Sequence, residues 1–123
     1  MNIESLYEFC ASLKGTTEEF PFDQETLVFK VGGKMFCLTG LDSWEKGNPS
    51  VNLKCNPEKA VALRQEYEAV VPGYHMSKLH WNTVSINQDA SDKLILEWLQ
   101  DSYNLVFGSL TKKIQKEIEE IEN

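Results

Sequence analysis

A chain of 123 residues, 41% apolar and 25% charged, has the size and make-up of one soluble domain, 1–123, with enough core to fold without a disulfide or metal staple. Twelve basic residues against nineteen acidic ones leave a net charge of −7, which argues against a general nucleic-acid binder, because neutralising phosphates takes Lys and Arg. No apolar run approaches the roughly 18 residues of a membrane span, and Met1-Asn2-Ile3-Glu4-Ser5 lacks the basic-then-apolar pattern of a secretory signal.

Cys10, Cys37 and Cys55 are odd in number and form no Cys-x-x-Cys pair, so buried free thiols in a cytoplasmic protein are expected. Charge is unevenly spread. Residues 1–25 hold six carboxylates against one lysine, whereas residues 26–56 hold four lysines against two carboxylates. The segments that read as strands carry the positive charge, and those that read as helices carry the acid.

Ile3, Leu6, Tyr7, Cys10 and Leu13 recur at helical spacing, and the pattern predicts a helix over 3–13 with Asn2 as N-cap and Gly15 beyond its end. Thr16 to Phe20 reads as a short strand, and Phe20-Pro21-Phe22 as a rigid aromatic connector. Residues 26–31 and 34–39 form the clearest hairpin, closed by Gly32-Gly33, a pair suited to the positive φ of a two-residue turn. An unbroken ladder pairs Val31 with Lys34, Phe29 with Phe36 and Leu27 with Leu38. It puts Val28, Lys30, Met35, Cys37 and Thr39 on the wetter face.

Asp42 to Pro49 reads as a polar loop, and Val51 to Cys55 as a strand with Asn52 and Lys54 outward. Asn56-Pro57-Glu58 opens a helix, with Asn as cap and Pro in the first turn; Ala60, Leu63, Tyr67 and Val70 form its buried stripe. Leu79 to Ile86 is a strand whose two faces are not distinguished by pattern. If Trp81 is buried, His80 and Asn82 join Lys30 and Lys54 outside. Asp89 or Ser91 caps a long helix that Gly108 interrupts, and residues 109–123 form a last amphipathic helix with Leu110, Ile114, Ile118 and Ile121 on one side. Strands in the middle with helices at both ends predict an α+β two-layer sandwich, an antiparallel sheet with helices on one face.

Several stretches also resemble a known family. They are Phe20-Pro21-Phe22, Phe29 to Phe36, Val51-Asn52-Leu53-Lys54 before the Pro57 helix, Pro72-Gly73-Tyr74-His75-Met76, Lys78 to Val84, Ser102-Tyr103 and Leu105-Val106. In order and spacing they are similar to the MmcQ/YjbR family of small bacterial proteins. The resemblance implies a frataxin/CyaY-like fold, and the family is commonly described as carrying a double-wing DNA-binding motif. It supplies no catalytic signature.

A DNA-binding surface would then be the outward sheet face and hairpin tip, with Lys30, Lys34, Asn52, Lys54, Lys78, His80 and Asn82 meeting phosphates or base edges. So few lysines make a modest patch, and ordinary solvation of a half-exposed sheet is the competing reading; any duplex contact would be weak and steeply salt-dependent. Trp81 could stack on a base, though a strand tryptophan is more often core.

No metal or cofactor is expected. His75 and His80 have no Cys or carboxylate near them in sequence. Glu18, Glu19, Asp23 and Glu25, which the frataxin-like fold raises as an iron site, cluster around the aromatic connector and read as a solvated acidic surface. No nucleophile arrangement or phosphate loop supports an enzyme. The principal alternative is a protein-interaction module using the amphipathic tail, and a monomer is the expected state.

Overall fold

The computed structural model describes residues 1–74 and 76–121, so the readings attached to His75 lie outside the described residues. Six strands form one antiparallel sheet in the order β1-β2-β3-β4-β6-β5. The strands are β1 (Thr16–Glu19), β2 (Thr26–Val31), β3 (Lys34–Gly40), β4 (Ser50–Lys54), β5 (Val70–Pro72) and β6 (Trp81–Ser85). The helices are α1 (Ile3–Ser12), α2 (Leu41–Glu45), α3 (Pro57–Glu66), α4 (Asp92–Gly108) and α5 (Lys112–Glu119).

Helix ends follow the local chemistry. Asn2 and Ser5 form a reciprocal capping box on α1, and the side chains of Asn56, Ser91 and Thr111 cap α3, α4 and α5. Leu13, in extended conformation, ends α1 two residues short of Gly15. One core lies between the sheet and the helices. Leu6 and Cys10 of α1, Leu63 of α3, Ile95, Leu99, Tyr103 and Val106 of α4 and Ile118 of α5 meet Leu27, Phe29, Val31, Phe36, Val51, Leu53 and Val84 of the sheet. The α+β arrangement is the one expected, with the helical layer on one face.

Four local expectations change. The hairpin turn is as predicted, with φ of 58° at Gly32 and 81° at Gly33, and Val31 does pair with Lys34. A bulge then shifts the register, so that Phe29 faces Cys37, Val28 faces Leu38 and Leu27 faces Thr39. Phe36 and Cys37 both enter the helix-side core, while Leu38 crosses to the open face. An inserted residue cannot be read from alternation, because hydrophobic residues flank the bulge on both sides.

The expected loop after residue 41 begins as the short helix α2. It is held by the Trp44 indole N–H donating to Thr39 Oγ1 at 2.8 Å and by Ser43 Oγ donating to the Gly40 carbonyl. The α3 helix stops at Glu66 instead of running to Val70. The Asp89 carboxylate accepts the backbone N–H groups of Glu68 and Ala69, both at 2.8 Å, and turns the chain so that Val70 enters an edge strand beside β6. The β6 strand begins only at Trp81; residues 78–80 are a turn.

The β3–β4 pairing is brief, Cys37 with Leu53 and Leu38 with Asn52. Where it ends, the buried Ser102 hydroxyl of α4 donates to the Phe36 carbonyl at 2.6 Å and accepts from the Lys54 N–H at 2.9 Å. One hydroxyl thus satisfies two sheet groups that the bulge leaves without ladder partners. The last helix docks on its own domain. Ile118 is buried, and a Cβ at Gly15 would stand 2.9 Å from its Cγ2. Among the described residues no helix is long and apolar enough to cross a membrane.

Candidate functional site

The sheet face away from the helices is the surface on which most of the predicted binding residues converge. Alternation and register place Thr26, Val28, Lys30, Met35, Leu38, Ser50, Asn52, Lys54, Trp81 and Thr83 there. Trp81 sits on this open face and is nevertheless only 9% exposed, because Val28, Leu38, Met35 and Met76 gather around it in a second apolar cluster.

That geometry corrects the expectation for β6. A buried Trp81 does not put Asn82 outside, since both faces of this strand are covered. Asn82 points to the helix side, is 2% exposed, and accepts from Arg64 Nε at 2.6 Å. It leaves the set of surface contacts.

The other predicted residues divide. Lys30 is on the open face but ion-paired to Glu19 of the neighbouring strand, so its charge is already neutralised. Lys34 lies at the hairpin tip, with Nζ 3.4 Å from Ser109 Oγ, and the Gly32 turn rests against Leu110. The tip is therefore packed on the α4–α5 junction and is not a projecting wing. The end of β4 at Lys54 runs beside the turn that carries Lys78 and His80. Lys54 pairs in register with Trp81, and the Cys55 N–H donates to the His80 carbonyl at 2.7 Å. Lys78 donates to the Gly73 carbonyl at 3.1 Å. The Arg64 guanidinium holds this corner by donating to the carbonyls of Lys78 and Trp81.

Between the 20–25 and 73–80 loops, the open face hollows into a cavity of about 860 Å³. Among the described residues its lining contains no charged side chain. Phe22 (64% exposed) and Tyr74 (71% exposed) stand at its rim, with Trp81, Met35, Met76 and Leu38 as apolar wall. Polar atoms are few: Thr83 Oγ1 donates to Asn52 Oδ1 at 2.5 Å and accepts from the Tyr74 N–H at 3.1 Å. Phe22 and Tyr74 were not singled out as contacts from sequence. Their aromatic-turn settings, Phe20-Pro21-Phe22 and Pro72-Gly73-Tyr74, were visible, but only the sheet order brings two residues 52 positions apart to one hollow.

The remaining chemistry is dispersed. Among the described residues no three His, Cys, Asp or Glu side chains converge as a metal site would require. Within the acidic cluster, Glu18 accepts from the Tyr7 hydroxyl, Glu19 pairs with Lys30, and Asp23 caps the N–H groups of Glu25 and Thr26. Those N–H bonds, Thr26 first, hold the Asp23 carboxyl below the ordinary range. Cys37 is pushed well above its usual value by its contact with Cys10 and by burial, and half-buried Cys55 is pushed up by burial. Neither has the lowered value of a reactive thiolate.

The family model described as YjbR matches residues 11–105. The chain is 41% identical over 99 residues to the uncharacterised protein YbdF of Escherichia coli O157:H7, covering 80% of this chain and 79% of that one. It is 28% identical over 116 residues to the uncharacterised protein YjbR of Escherichia coli strain K12, covering 94% and 96%. Its fold is similar to the crystal structure of Deinococcus radiodurans protein DR2400, with a TM-score of 0.88 and 37% identity, over 96% of this chain and 88% of that one. A family match across most of the chain, a relative of this identity and the same sheet-and-helix architecture agree: the chain belongs to the YjbR family.

Proposed function

We propose that this protein is a non-enzymatic nucleic-acid-binding protein that takes an unpaired strand across the open face of its sheet. The observation that carries the reading is a hollow on that face with an aromatic rim and no charged side chain among its described lining residues, next to the end of the sheet where the backbone at Lys54 meets the turn carrying Lys78 and His80. Bases are flat and uncharged and stack on aromatic side chains; phosphates carry the charge and meet the cations outside. A duplex keeps its bases stacked inside and would present only phosphates, for which this face offers few cations. The DNA-binding description attached to the resemblance supports the same ligand class, and the docked hairpin tip favours a strand over a groove. No reactive thiolate or acid–base pair on this face argues for catalysis.

The test is fluorescence anisotropy of a labelled oligothymidine at low salt. Phe22→Ala and Tyr74→Ala should each weaken binding by about 1–3 kcal/mol, the usual worth of one base–aromatic stack. Lys54→Glu with Lys78→Glu should weaken it further while leaving the circular dichroism unchanged. Absence of binding at tens of micromolar protein, or binding indifferent to both sets of variants, would overturn the reading. A protein that co-purifies with wild type and is lost on Phe22→Ala with Tyr74→Ala, in the absence of oligonucleotide binding, would make the face a protein-interaction surface instead.

A further inference from the structure

The floor of the open-face hollow carries one polar group held in a fixed sense. Among the described residues the polar lining is Thr26, Ser50, Asn52, Tyr74, Ser77 and Thr83. Hydroxyls rotate, so Ser50, Ser77 and Tyr74 can donate to a ligand or accept from it and favour neither. Thr26, two strands away on β2, has given its proton to Asp23 Oδ2 at 3.1 Å. Asn52 is different. It sits on β4 between Leu38 of β3 and Thr83 of β6. The Tyr74 N–H donates to Thr83 Oγ1 at 3.1 Å, and Thr83 donates on to Asn52 Oδ1 at 2.5 Å. A backbone N–H can only donate, so this relay runs one way and takes up the acceptor of the amide. The Asn52 NH2 group makes no hydrogen bond to a described residue and is not buried. At Asn52 the floor therefore offers a donor and no acceptor.

We infer that Asn52 makes the open face selective for the keto bases thymine, uracil and guanine over the amino bases cytosine and adenine. The inference rests on the reading that an unpaired strand lies across this face, and it deepens that reading. The exocyclic oxygen of a keto base, O4 of thymine or uracil or O6 of guanine, can accept from the Asn52 NH2 group. The amino group of cytosine or adenine is itself a donor. Two facing donors are both left unpaired once the base has displaced water, and a hydrogen bond left unmade costs more than one made contributes. Asparagine reads adenine by presenting its oxygen and its NH2 group together; here Thr83 has taken the oxygen. Phe22 and Tyr74 can stack on any base, so the choice among bases falls to the floor.

The experiment is fluorescence anisotropy of the full chain at low salt with oligodeoxyuridine and oligodeoxycytidine of equal length. The two strands share a backbone and a ring size, and their bases differ in whether the edge presents an oxygen or an amino group. The uracil strand should bind about tenfold tighter, as one hydrogen bond set against an unpaired donor predicts. Asn52→Asp should invert the preference, since a carboxylate only accepts, a result that a merely structural role for Asn52 would not produce. Thr83→Val should narrow it by freeing the amide to turn. Circular dichroism checks the fold of both variants. Failure of both strands to bind overturns this inference together with the strand-binding reading. Equal binding, a preference for the cytosine strand, or a preference that either variant leaves unchanged overturns this inference alone.

Discussion

Asp89 shows how far one side chain can redirect the chain. Its two oxygens accept the N–H groups of Glu68 and Ala69, and these bonds, Ala69 first, lower its carboxyl below the ordinary value of 3.8. A carboxylate whose value is lower folded than unfolded stabilises the fold above its unfolded value and loses that contribution as pH falls through the folded one. Asp89→Ala should therefore be destabilising at pH 7, and the difference from wild type should shrink progressively once the pH drops below about 4, as read by urea denaturation across pH. Asp23, lowered for the same reason, contributes in the same window. Ser102 makes a different demand. It is buried and serves Phe36 and Lys54 at once, so Ser102→Ala should cost about 1–3 kcal/mol of unfolding free energy, the penalty for leaving buried backbone groups without partners.

The hairpin of β2 and β3 brings local geometry and tertiary packing to one turn. Gly32 and Gly33 both need positive φ, so replacing either with alanine incurs backbone strain of about 1–3 kcal/mol. Only Gly32 is also crowded, because a Cβ there would meet Leu110 Cδ1 at 2.6 Å, whereas nothing stands within 4 Å at Gly33. Gly32→Ala should thus be the more damaging, and a Leu110→Ala background should relieve part of the Gly32 penalty and none of that at Gly33. Thermal denaturation of the two glycine variants in both backgrounds, against wild type and Leu110→Ala, checks it. The contact also explains why the α4–α5 junction belongs with the domain. Leu110 and Ile118 are spent on the hairpin and on the α1–β1 turn, while Ile121 at the end of the stripe stays exposed.

For the whole molecule, charge sets the terms of any nucleic-acid contact. A net charge of −7 repels a polyanion at long range, and near the end of β4 the described residues set against it are Lys54 and Lys78, with His80 beside them. Two to three phosphate contacts to a single strand predict a slope of log affinity against log salt of about −1 to −2, far shallower than a dedicated DNA binder shows. Duplex of the same length should bind more weakly than the single strand. A slope much steeper than this, or a duplex preference, would point to the acidic count being outweighed elsewhere and would move the interface off this face.

The sequence by itself determined the fold class and most of the elements, though not α2 or β5. Asn2, Asn56 and Ser91 mark helix starts through short-range caps, Gly32-Gly33 marks the hairpin, and Gly108 ends the long helix, because each signal acts over a few residues of chain. The family signature was legible for the same reason. Tertiary structure decided what alternation cannot encode. The bulge at Phe36 moved Leu38 to the open face, the Asp89 bonds turned Val70 into a strand, and sheet order brought Phe22 and Tyr74 to one hollow. Above all it decided β6. Pattern reading assumes one wet face and one dry one, but here loops and side chains bury Trp81 on the open side while Arg64 and the helices bury Asn82 on the other. A strand covered on both faces has no periodic signal of its own, so its orientation is set only by what packs against it.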